Sequence, residues 1–365
     1  METKRIFTES PEDEQWRLLM HYTYPINIKG FLKNNGNSNP SEKLVESISG
    51  SLLQAKEYFE ACKLSTLQIS PLLMYYGATN LLYGVSNLIT GRENKIENHG
   101  MSIQIDNPDI KIADINIYPN SSKTGALSVF CNIFCSACKI IKSGKWKIEE
   151  LFASIPDLLN DFLDCYKGGK PYVIPVQILK QRNSNIERIK PLCLERFKDF
   201  NDVFDRIKEF ENNYLPPQYT SQMKYIILRP KMGSKNIGIY SISGQKFLKL
   251  SYLKNGNLYN PSLEIIMFMA LYALGFISRY NPEIWNPFIR NDISGEKLLI
   301  EKFLYYSRRL LPNLALNYIM DNRVVFVNET QGFIDNSLYM TKDEVKSIVK
   351  EEFRKMMDRE RMDLR

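Results

Sequence analysis

Residues 265–277 (IIMFMALYALGFI) hold no charged side chain, and whatever this chain builds has to bury them. The run is too short for a membrane span, which takes about 18 or more consecutive apolar residues. It fits a helix that is apolar around its whole circumference and sits inside a protein core. A chain of 365 residues is long enough to supply such a core, with two or three packed units around it. Hydrophobic residues at 44% and charged residues at 24% agree with an ordinary globular protein.

Other helices are legible from spacing. Ser41 is a good N-cap, and Leu44, Ile48, Leu52, Ala55 and Phe59 recur at helical intervals after it. Residues 69–90 form a second, more buried helix, with Pro71 in its first turn and Gly91 closing it. Further helices are expected over 126–141, over 148–166, over a charged stretch at 194–210, and over 294–311, where Pro312 is expected to set the limit. From residue 341, Val345, Ile348, Val349, Phe353, Met356 and Met357 share one stripe.

Strand signals lie between these helices. Ile103 and Ile105, then Ile110 and Ile112, alternate with polar residues around a turn at 106–109. Residues 171–179 read as a strand, and so do YIILRP, IGIYSIS and FLKLSYL between 225 and 253, broken by Gly233 and Gly244. The expected class is α+β and predominantly helical. It comprises an irregular segment at 1–40 with one short helix near 14–21, a helical unit with a short β hairpin at 41–170, a small antiparallel β-containing middle at 171–260, and a helical unit at 261–365.

The net charge of +7 is compatible with anionic partners, RNA among them, although the positive residues are spread along the chain. The first 16 residues show no signal-peptide pattern, no run is long enough for a membrane span, and the six cysteines are unevenly spaced. A cytoplasmic protein with reduced thiols is the expectation.

Two histidines, His21 and His99, are too few for a multi-histidine metal site. The phosphate-binding G-x-x-x-x-G-K-[ST] loop, the dinucleotide G-x-G-x-x-G turn and the G-x-S-x-G nucleophile elbow are all missing. Cys131, Cys135 and Cys138 have C-x3-C-x2-C spacing, which matches an iron–sulfur motif of radical enzymes. They sit within ALSVFCNIFCSACKII, where buried cysteine on a helix face is the better reading. No metal and no cofactor is expected.

Three constellations remain. Arg92 and His99 in RENKIENH have six residues between them and resemble the R-x4–6-H motif of HEPN ribonucleases. That resemblance implies metal-independent RNA cleavage at a dimer interface, with His99 moving a proton and Arg92 steadying phosphate charge. Gly91 and Gly100 bracket the motif and favour a loop. The second constellation is Arg279, Tyr280 and Trp285 after the apolar helix, which could face an anion or a partner protein, or form a structural corner. The third is KIIKSGKWK at 139–147, whose Trp146 stands among lysines and reads as a solvated turn.

Several segments together resemble the YaaC-like family of bacterial proteins. They are Ser70-Pro71-Leu72-Leu73-Met74-Tyr75-Tyr76-Gly77 with Asn80-Leu81, then His99-Gly100, then Ile155-Pro156-Asp157-Leu158, then Ser278-Arg279-Tyr280 with Pro282 and Trp285, and finally Arg309 with Pro312-Asn313. The resemblance covers about residues 65–325. It implies a bacterial cytoplasmic protein and carries no reaction across. Two functional expectations follow. One is a non-catalytic binding or regulatory protein that holds a partner protein or anionic ligand through Tyr76, Asn80, Arg279, Tyr280 and Trp285, in a homodimer or as a single chain. The other is a HEPN-type ribonuclease effector of stress or phage defence, acting through His99 and Arg92.

Overall fold

The computed structural model describes residues 3–105, 107, 110–135, 140–180, 187–192, 206–207, 215, 218–220, 225–229, 231 and 238–327. Within them the protein is α+β and predominantly helical, with small antiparallel sheets in the middle of the chain.

The first forty residues are more regular than their sequence implies. They form strand β1 (Thr3–Phe7), helix α1 (Pro11–Met20) and helix α2 (Pro25–Asn34). Trp16, Leu19, Ile28 and Leu32 anchor these helices in the core. Two apolar anchors per short helix give little periodicity to read. The partner of β1 is β13 (Arg323–Val327), a parallel pairing from the far end of the described chain. That contact is invisible locally.

Helices α3 (Glu42–Leu64) and α4 (Ser70–Thr90) pack side by side. Ser41 caps α3 through its Oγ, which accepts the Leu44 N–H at 3.2 Å. Helix α4 ends at Gly91 in the left-handed conformation with φ 64°. Next come β2 (Met101–Gln104), β3 (Asn116–Pro119), α5 (Ala126–Phe134), β4 (Trp146–Lys147), α6 (Ile148–Phe152) and α7 (Leu159–Cys165).

Four local expectations are revised in the described residues. Strand β2 pairs with 116–119, setting Ile103 opposite Ile117, and Ile112 opens a single 3-10 turn instead of a strand. The helix expected over 148–166 is cut between α6 and α7, because Pro156 cannot donate a mid-helix hydrogen bond. Helix α5 stops before Cys135, so Cys131 and Cys135 do not share a helix face; Cys131 is buried, and Cys138 lies outside the described residues. The fourth concerns Pro312, discussed with the last helix below.

Strands β5 (Val173–Lys180), β6 (Glu187–Pro191), β7 (Gln218–Thr220), β8 (Tyr225–Leu228), β9 (Ile239–Tyr240) and β10 (Lys246–Lys249) form an antiparallel sheet in the order β7-β8-β6-β5-β10-β9. Strands β11 (Tyr252–Lys254) and β12 (Asn257–Tyr259) form a separate hairpin. Most of the helix expected at 194–210, and the whole stripe from 341, lie outside the described residues.

Helix α8 (Leu263–Tyr280) is the apolar run, and α4, α5, α6 and the last helix surround it. By length and composition it could cross a membrane, but 78% of it is buried inside the protein. Each fully buried large apolar side chain contributes about 1.5–3 kcal/mol, so this helix organises the core. Helix α9 (Pro282–Asn291) follows, then α10 (Glu296–Met320). Helix α10 runs through Pro312 instead of stopping there. A mid-helix proline costs about 3 kcal/mol, and buried Leu310, Leu311, Ala315 and Leu316 on either side of it offset that cost.

Where α4 crosses α8, Gly275 leaves room. A Cβ there would lie 3.2 Å from Tyr75 Cβ and 3.4 Å from the Pro71 carbonyl. The close crossing sets the first turns of α4 beside the C-terminal turn of α8, and that junction is where the candidate site forms.

Candidate functional site at the α4–α8 junction

Tyr75 and Tyr76 lie in the second turn of α4, Tyr272 and Arg279 lie on α8, and His99 lies on the loop between α4 and β2. The Tyr75 hydroxyl is 2.6 Å from His99 Nδ1. Burial pushes the Tyr75 phenol up, so it keeps its proton and shares a neutral hydrogen bond with Nδ1. The imidazole also packs against the Tyr75 and Tyr272 rings, with centroids at 5.5 and 5.4 Å. Tyr272 donates to the Met101 carbonyl at 3.0 Å, which ties α8 to the strand after the loop, and burial pushes its own phenol up to about 12.

Arg279 reaches back across the junction. Its Nη1 donates to the Tyr76 hydroxyl at 2.7 Å, and its guanidinium lies 4.9 Å from the centre of the Tyr280 ring. Among the described residues no carboxylate is within ion-pair distance of it. Arg279 and Tyr280 are exposed, and Tyr76 is half-buried. Packing around His99 lowers its pKa, and the nearby Arg279 charge lowers it further, so the ring is neutral at pH 7.

Two glycines hold the His99 loop. The Ala126 N–H donates to the Asn98 carbonyl at 2.8 Å, and the Leu127 N–H donates to the His99 carbonyl at 3.2 Å. The opening N–H groups of α5 thus find their partners in this loop. Asn98 Oδ1 accepts the Gly100 N–H at 2.9 Å. Gly100 has φ 73°, and a Cβ on Gly125 would come within 2.6 Å of Gly100 Cα. Side chains at either position would force the two backbones apart.

The expected site residues separate into groups. His99, Tyr76, Arg279 and Tyr280 come together. Asn80 lies one turn along α4, half-buried, where its Nδ2 donates to the Tyr76 carbonyl at 3.0 Å. Trp285 is fully buried beside Phe288 and belongs to the core. Arg92 lies beyond the opposite end of α4. Tyr75 and Thr90 are about 22 Å apart at 1.5 Å per residue, so Arg92 and His99 do not form one constellation. The RENKIENH segment is a loop, not a helix, because Gly91 has already turned the chain out of α4. Arg279 takes the place expected of Arg92 as the cation near His99.

Tyr75 and Tyr272 were not expected as site residues, although Tyr75 stands within the SPLLMYYG segment. The signal was adjacency: successive side chains on a helix point about 100° apart, so one tyrosine of the pair is buried and the next lies at the edge of the surface. Among the described residues no group of three or more His, Cys, Asp or Glu side chains could hold a metal.

The arrangement defines a helical α+β protein with an exposed polar surface made of a guanidinium, a neutral imidazole and phenols. The YaaC-like protein family model matches residues 7–319, and the chain belongs to that family. The match begins well before residue 65, so α1, α2 and α3 are part of the family unit. No curated protein and no solved structure matches the chain.

Proposed function

We propose that this protein is a cytosolic binding protein without chemistry of its own, and that the surface of Arg279, Tyr76, Tyr280 and His99 holds an oxyanion or the acidic segment of a partner protein. The observation that carries this reading is the state of Arg279. It is exposed, it is positioned by a phenol and an aromatic ring, and among the described residues it has no carboxylate partner. A guanidinium held this way is preorganised for bidentate bonding to a carboxylate or phosphate. The test is fluorescence anisotropy with labelled oligoglutamate and labelled polyphosphate against wild type and Arg279→Ala. Loss of a charge-assisted hydrogen bond weakens binding roughly 10- to 150-fold. Equal binding by both proteins, or none by wild type, refutes the proposal.

A second reading is a metal-independent ribonuclease, and one observation favours it. His99 is a neutral imidazole held by Tyr75 within the electrostatic range of a cation. Such a ring can move a proton while the cation stabilises phosphate charge. The cation would then be Arg279, not Arg92. RNA digestion in EDTA by wild type, lost in His99→Ala, would establish it.

A further inference from the structure

A cleft of about 560 Å³ lies on another face of the molecule, where the end of β1 and Phe326 of β13 meet the turn before α7, the β9–β10 turn and α10. Its walls include Pro156, Asp157, Asn160, Ser241, Gln245 and Arg309. The volume is that of a small-molecule site. Two of these residues have bonding capacity that the protein leaves unused. Arg309 is partly buried on α10, yet among the described residues it makes no hydrogen bond and no ion pair. Burial lowers its pKa, so the charge is held there against a desolvation cost. Asp157 accepts the Ile242 N–H through Oδ1 at 2.8 Å, while Oδ2 is fully shielded and has no partner. Each residue feels the other's charge, but they are not bonded to each other.

A cation without a partner and a carboxylate with spare acceptor capacity, both lining one cleft, match a ligand that bridges them. Among the described residues the remaining polar wall consists of hydroxyls and amides from Thr8, Asn160, Ser241, Ser243, Gln245 and Tyr306, with the exposed Glu9 as the one other carboxylate. Neutral hydroxyl and amide groups suit a hydroxyl-rich ligand better than an apolar one. We propose that this cleft is a ligand site for a small polyhydroxylated oxyanion of the sugar-phosphate kind, with Arg309 holding the phosphate and Asp157 accepting a sugar hydroxyl on the second lone pair of Oδ1. This site is independent of the α4–α8 surface, and either can fail without the other.

Calorimetric titration of the full chain with glucose 6-phosphate, inorganic phosphate and glucose tests it. The sugar phosphate should bind at least roughly tenfold tighter than either fragment, since it alone makes both contacts. Arg309→Gln should weaken the sugar phosphate and inorganic phosphate alike by roughly tenfold or more. Asp157→Asn keeps an acceptor for the Ile242 N–H; it should weaken the sugar phosphate alone and leave inorganic phosphate unchanged. Arg279→Ala should change none of these titrations. Should Arg309→Gln fail to fold, the contrast in Asp157→Asn decides the matter. Equal weak binding of all three probes to wild type, or a folded Arg309→Gln that binds as wild type does, overturns the proposal.

Discussion

Replacing Gly125 by Ala should loosen the His99 loop, and the size of the effect follows from the contacts. The backbone at Gly125 has φ −72° and ψ 138°, which alanine adopts freely, so the cost is contact alone. The new Cβ would sit 2.6 Å from Gly100 Cα and 3.0 Å from Asn98 Oδ1. Carbon atoms pack at about 3.5–4.0 Å, so the 98–100 segment has to retreat by about 1 Å. Two hydrogen bonds span that gap, from Ala126 N–H and Leu127 N–H, and a third, from Gly100 N–H to Asn98 Oδ1, shapes the segment that has to move. Overpacking of this kind costs about 1–3 kcal/mol, which lowers Tm by about 2–4 °C per kcal/mol in a chain of this order of size. The Tyr75–His99 hydrogen bond should lengthen with the same movement. Gly30→Ala is the control: nothing lies within 4 Å of its would-be Cβ in the middle of α2, and the change should stabilise by about 0.5–1 kcal/mol. Calorimetric melting of both variants, with an NMR titration of His99, reads the outcome. A Gly125→Ala protein that melts with wild type and leaves His99 unmoved would refute the account of the loop.

Three further outcomes are expected. Trp285→Ala should cost about 3–5 kcal/mol in urea unfolding, because the ring is fully buried; a cost near zero would return Trp285 to the surface. Arg279→Ala should raise the His99 pKa in an NMR titration, since the guanidinium and the packing around the ring both lower it. Asp157→Asn should become stabilising as pH rises. Burial lifts the Asp157 carboxyl from 3.8 to about 6, so its contribution to stability is present below its ordinary value and is lost as pH climbs through 6. The variant should match wild type near pH 4 and gain about 1–3 kcal/mol on it by pH 7 in chemical denaturation.

What could be read from the residues, and what could not, divides along the range of the interactions. The central helix α8, the capped helix α3 and the buried helix α4 are set by spacing within each segment, and they appear as their apolar patterns imply. Strand β1 escaped because its partner β13 lies some 300 residues away, and no local pattern in TKRIF announces it. Pro312 misled for the opposite reason: a local helix-breaker is overruled by tertiary packing around buried Leu311 and Leu316. The site shows the same division. Arg279, Tyr280, Tyr76 and His99 were each visible as oddly placed polar residues, but only the α4–α8 crossing at Gly275 brings them together. Arg92 looked right by spacing along the chain, and the length of α4 carries it away.

The two histidines make the central claim directly measurable. His99 belongs to the proposed anion surface, whereas His21 lies past α1, with its Nδ1 near Asn27. In protein labelled at histidine, titration with tripolyphosphate or oligoglutamate should move the His99 signal and raise its pKa, because an anion beside the ring favours the charged form. His21 should stay where it is, and Arg279→Ala should abolish the response. If His99 moves no more than His21 at saturating anion, the surface does not hold anions and the account is contradicted.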